Sequence, residues 1–158
     1  MDWAGWLVVG LLASAVLAGL MLGAQLLGLT RMDLPTMLGT IVETGIDRAR
    51  VIGFALHLVA GQILAIGYAV VFDLVGRATW IIGGLLGLLH GLLVLTVVMT
   101  LLPGLHPHMA SERSGPHLGR ALEPPGALGL NYGASTPLVT LVAHVIYGAI
   151  LGGFLRLN

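Results

Sequence analysis

Four apolar runs, at residues 3–29, 49–75, 80–102 and 137–157, each have the roughly 20 residues a helix needs to cross the hydrocarbon core of a membrane. With 57% hydrophobic and 9% charged residues and a mean hydropathy of +0.99, little of the 158-residue chain remains for anything else. These runs predict an all-α membrane protein, one domain over 1–158 built as a four-helix transmembrane bundle. Ala13-Ser14-Ala15 has the look of a secretory cleavage site. However, Met1-Asp2-Trp3 lacks a positive flank and the apolar run continues to Leu29, so it reads as the first span.

The connections differ in kind. Asp33 can cap a short helix with Pro35 in its first turn, and Leu34, Met37, Leu38, Ile41 and Val42 make an apolar stripe. This predicts an interfacial helix over 34–45, too short to span. Residues 103–136 carry Pro103, Pro107, Pro116, Pro124 and Pro125 and read as a long ordered loop capping the bundle. Arg31, Arg48, Arg50, Arg113 and Arg120 lie on the loop side of the spans, against Arg77 and Arg156 on the other. This asymmetry predicts a cytoplasmic loop and external termini. Trp3, Trp6 and Trp80 fall together on the termini side, as an aromatic belt requires.

Composition excludes several chemistries. All seven basic residues are arginine and the net charge is zero, which argues against nucleic-acid binding. With no cysteine there are no disulfides, thiolate metal sites or cysteine nucleophiles. No serine–histidine–acid set, phosphate-binding glycine loop or helical HExxH is visible, and no catalytic residue is assigned.

What stands out is histidine inside the spans, because an ionisable ring in hydrocarbon is costly and usually faces the bundle interior. His57-Leu-Val-Ala-Gly61-Gln-Ile63-Leu64 is echoed by His144-Val-Ile-Tyr-Gly148-Ala-Ile150-Leu151, which suggests two repeated helical hairpins about an axis along the membrane normal. Counted from the loop side, His57 and His144 lie roughly 11 Å deep and His90 roughly 18 Å. Small residues share their stripes: Gly53, His57 and Gly61; His144, Gly148 and Gly152; Gly83, Gly87 and Gly91 beside His90; and Ala15, Gly19 and Gly23 on the first span. Such spacing marks close helix contacts in membranes, so all four stripes are expected to face inward.

Three readings of these histidines follow. In the first, each ring is a hydrogen-bonded tie to a carbonyl or to Gln25, Gln62 or Tyr147. In the second, His57 and His144 face each other, with His90 nearby, and hold a cofactor, either haem or a transition metal such as copper, zinc or iron. In the third, His144, His57 and His90 conduct protons or ions. In the loop, His106-Pro107-His108-Met109 can converge two imidazoles and a thioether on a metal, Cu(I) best, or can be an ordinary polar turn. Glu112, Arg113, Arg120 and Glu123 read as a solvated, ion-paired loop.

From His90 through Pro103-Gly104-Leu105 to Met109, and from Leu128-Gly-Leu-Asn-Tyr-Gly-Ala-Ser-Thr-Pro137 into His144, the chain resembles a group of small bacterial inner-membrane proteins of unassigned activity. The resemblance covers spans two to four and the long loop, and implies a bacterial inner-membrane setting. The sequence therefore points to a small non-enzymatic accessory or assembly protein with a histidine-lined intramembrane pocket. Its partners would be the lipid bilayer and other membrane subunits or further copies of itself. The alternatives are a transporter or channel for protons, metal ions or a small solute, and a purely structural bundle.

Overall fold

The computed structural model describes residues 3–111 and 122–155; Glu112, Arg113, His117, Arg120 and Arg156 lie outside them. The described chain is mostly helical: α1 (Trp3–Leu26), α2 (Leu34–Gly39), α3 (Ile46–Val75), α4 (Trp80–Leu93), α5 (Met99–Leu105) and α6 (Thr136–Phe154), with a 3-10 turn at Ala127–Tyr132 and an isolated bridge between Met109 and Leu122. A π-helical turn at Val94–Val98 fuses α4 and α5 into one apolar rod, Trp80–Leu105. The four long helices, α1, α3, this rod and α6, are each long and apolar enough to cross a membrane. The protein is thus a multi-pass membrane bundle whose exposed leucines and valines face lipid.

Local chemistry sets the ends. Asp33 caps α2, its Oδ1 accepting from the Thr36 amide at 3.0 Å, and Thr79 caps α4 through Ile82. α1 and α3 each stop at a glycine in the left-handed region, Gly28 (φ 71) and Gly76 (φ 74). There the amides of Leu29 and Arg77 turn back to Ala24 and Phe72, a closure that a β-carbon would strain. α2 is only six residues long, shorter than its apolar stripe suggested, and Ile41 and Val42 beyond it are exposed. It lies hard against α3: a β-carbon on Gly53 would stand 1.7 Å from the Pro35 carbonyl oxygen, and one on Gly39 equally close to that of Ala49.

α6 packs against both α4 and α1, and α1 also packs against α3. α4 and α6 approach by glycine on glycine, since a β-carbon on Gly83 would fall 2.0 Å from the Gly148 oxygen and one on Gly152 2.1 Å from that of Thr79. This confirms the inward direction of the stripes on α4 and α6, where dispersion between close backbones replaces the hydrophobic effect.

The first span is a correction. Ala15 and Gly19 are exposed and nothing stands within 4 Å of a β-carbon at Gly19 or Gly23. α1 instead buries Gly10, Ser14, Leu17, Met21 and Ala24, in alternating steps of four and three. The buried face of α1 mixes small residues, Gly10 and Ser14, which let α3 approach at Gln62 and Gly61, with larger Leu17 and Met21; Ala15 and Gly19 lie on the opposite face.

Candidate functional site

Inside the bundle α3 presents one long stripe, Gly53, His57, Gly61, Ala65, Tyr68 and Phe72, all buried except the half-buried His57. Tyr68, eleven residues beyond His57, lies three turns along the same face. Its hydroxyl bonds His90 Nδ1 of α4 at 3.2 Å, and its ring meets Tyr147 of α6 edge to face at 5.5 Å. Tyr147 donates from its hydroxyl to the Gly61 carbonyl at 2.6 Å, tying α6 to α3. His144, 4% exposed, donates from Nδ1 to its own helix at Thr140 O (2.8 Å). Its ring stands edge to face on His90 with centroids 4.6 Å apart. Two histidines and two tyrosines therefore fill the space between α3, α4 and α6.

His57 belongs elsewhere. It donates from Nε2 to the Ser14 carbonyl of α1 at 3.3 Å, which leaves the lone pair of the neutral ring on Nδ1. The ring in edge-to-face contact with His144 is that of His90, while His57 keeps its hydrogen bond on the α1 side. The cause is visible in the packing. Gly61 lets Ser14 approach closely enough that a β-carbon would meet its Oγ, which brings the α1 backbone to His57, while the tyrosines close the centre. Tyr147, expected as a hydrogen-bond partner of the histidines, instead bonds the Gly61 carbonyl and meets His90 only ring to ring. Tyr68 was missed, although its spacing from His57 was a usable signal.

The loop histidines have a different task. His106, 5% exposed, donates from Nε2 to Met37 O at 2.8 Å and accepts the His108 amide on Nδ1 at 3.1 Å. His108 donates from Nδ1 to Thr40 O at 2.7 Å. Met37 and Thr40 are the carboxyl end of α2, whose last carbonyls have no partner within the helix. The two rings cap them and so pin the loop to α2. Met109 is buried in the hydrophobic core, while the strand-like exchange of Leu122 and Ala110 amides holds the returning chain. Thus His106, His108 and Met109 do not converge on one point, and both nitrogens of His106 are engaged. Beyond them Arg31 pairs with Glu123 at 2.9 Å and also donates to Asn131 O. Tyr132 donates to Glu123 O; burial pushes its phenol up to about 12, Glu123 adding to the shift and Arg31 opposing it.

On the α1–α2–α3 side lies a lateral groove of about 360 Å³, within the usual size of small-molecule sites. At its mouth are Asp33, Arg50 and Gln25; Met21, Leu22, Leu34 and Phe54 form apolar walls; His57 and Ala18 close its far end. Arg50 donates from Nε to Asp33 Oδ2 (3.3 Å) and to Thr36 Oγ1 (3.2 Å). Gln25 donates to Met32 O. One edge of the guanidinium is thereby fixed on the cap of α2. This groove takes in His57 but neither His144 nor His90, so it is not the interior pocket expected from the sequence; Arg50 and Phe54 had no signal there, because the groove exists only where α2 folds back on α3.

No family model, curated protein or solved structure matches the chain. Fold and site together define a small helical multi-pass membrane protein with a polar, aromatic interior and a lateral groove.

Proposed function

We propose that this protein is a non-enzymatic accessory protein of a bacterial inner membrane that holds one amphiphilic molecule in its lateral groove. The groove itself carries this reading: polar groups at both ends, apolar walls between them, and exposed Phe54 and Leu22 on the way out to lipid. An amphiphile satisfies such a site better than a fully polar solute, which would leave the walls wet. The tyrosines that fill the bundle centre favour holding over conduction.

A haem or metal role draws less support. Among the described residues no three histidine or carboxylate groups converge. His90 and His144 stand edge to face at 4.6 Å, with no room for a porphyrin between them. The structural reading does have its own observation, since each described histidine bonds a protein group. It applies best to His90, His144, His106 and His108, and leaves His57 free to line the groove.

The test is native mass spectrometry of protein extracted in mild detergent, with Ala18→Trp as a groove-filling variant. One bound amphiphile per chain, retained through delipidation by wild type and lost in the variant, is the expected result. A variant that keeps its α-helical spectrum and retains the same adduct overturns the reading. An absorption spectrum and metal content of the same sample test the haem and metal alternative.

A further inference from the structure

Resting on that groove reading, we propose that the occupant is an anionic phospholipid whose phosphate sits on Arg50. The Nε edge of Arg50 is spent on Asp33 and Thr36, whereas Nη1 and Nη2 have no partner among the described residues. A guanidinium held by one edge offers the other as a preorganised fork, the geometry that matches phosphate oxygens. Asp33 does not compete for that fork. Its Oδ1 accepts the Thr36 amide and its Oδ2 accepts both Thr36 Oγ1 and Arg50 Nε. The carboxylate is thus turned toward the helix cap and the open edge of the cation toward the mouth.

Depth agrees with a lipid. Arg50 stands near the start of α3 and His57 seven residues further in, roughly 10 Å along the helix axis. A phosphate at Arg50 places the glycerol region along Met21 and Phe54, within reach of acceptors at Gln25 Oε1 and His57 Nδ1. The acyl chains leave sideways past Leu22 and Phe54, both exposed. At about 360 Å³ the groove takes the polar head and the first part of a chain, not a whole phospholipid. A zwitterionic head gains less, because its ammonium needs a carboxylate or an aromatic cage. Asp33 is the acid in the lining, and its oxygens already accept three hydrogen bonds from the protein.

The experiment is a lipid titration of delipidated protein, read by native mass spectrometry. Phosphatidylglycerol and phosphatidylcholine of identical chains are compared on wild type, Arg50→Gln, Arg50→Lys and Ala18→Trp. Both lipids offer a phosphate to Arg50, but the choline ammonium would stand near the guanidinium without a partner, so wild type is expected to favour phosphatidylglycerol roughly tenfold. Arg50→Gln should bind the two lipids equally. Arg50→Lys, which keeps the charge but not the fork, should fall between and shows that the loss in Arg50→Gln is not unfolding. Ala18→Trp should lose both.

Equal binding of the two lipids by wild type, or an undiminished preference in Arg50→Gln, overturns the assignment while leaving the groove. Full binding by a folded Ala18→Trp overturns the groove itself. Displacement of phosphatidylglycerol by equimolar oleate or by inorganic phosphate also overturns the phospholipid assignment, since any small anion would then suffice.

Discussion

His106 shows how a residue resembling a metal ligand is used as a structural one. Helix α2 has six residues and is too short to be stable alone, so its exposed carbonyls need outside donors. His106 and His108 supply them at Met37 and Thr40, from a turn through Pro107 that the Met109 amide closes on the His106 carbonyl. Replacing His106 by alanine leaves the buried Met37 carbonyl with only the longer Thr40 hydroxyl bond at 3.2 Å, at a cost of roughly 1–3 kcal/mol. The expected outcome is a lower midpoint in detergent–SDS unfolding and faster proteolysis of the loop, with the four long helices intact by circular dichroism. An unchanged midpoint together with a bound stoichiometric metal would return His106 to the ligand role.

Among the elements, the glycines divide by what a β-carbon would meet. On α6, Gly148 has the Gly83 oxygen 2.1 Å from where that carbon would sit, a backbone atom that cannot move aside. Gly67 on α3 has nothing within 4 Å. Gly148→Ala is therefore expected to force α4 and α6 apart and destabilise the bundle by roughly 1–3 kcal/mol. Gly67→Ala should stay within about 0.5 kcal/mol of wild type. Unfolding midpoints of the two variants compare them directly, and equal losses would contradict the packing described. The same contrast explains what the sequence could reveal. The spans were legible because length and apolar content decide them, and the α4 and α6 stripes because glycines and histidines there share one face. The outward turn of Ala15 and Gly19 was not legible: spacing shows which residues share a face, but not which face the neighbouring helix takes. The contact of His144 with His90 and the bond of His57 to α1 depend on how three helices pack, a tertiary fact with no local signal.

For the whole molecule, orientation and groove constrain each other. The mouth with Arg50 opens on the side where Arg31, Arg48 and Arg50 gather, opposite the Gly76 turn with Arg77. Positive residues favour the cytoplasmic side. That leaflet also carries the anionic lipids in surplus, so the orientation expected from the arginines would set Arg50 where its proposed ligand is concentrated. The absence of cysteine makes this directly testable. Thr44→Cys, in the exposed α2–α3 connection, should resist a membrane-impermeant maleimide in intact spheroplasts and react only after permeabilisation. Arg77→Cys, exposed in the α3–α4 turn, should react from outside, and losing an arginine there deepens the asymmetry rather than weakening it. The reverse pattern would put the groove mouth in the outer leaflet. Arg50 would then have to recruit its phosphate without help from the surface potential, and in asymmetric vesicles the lipid preference should follow the leaflet on the Thr44 side.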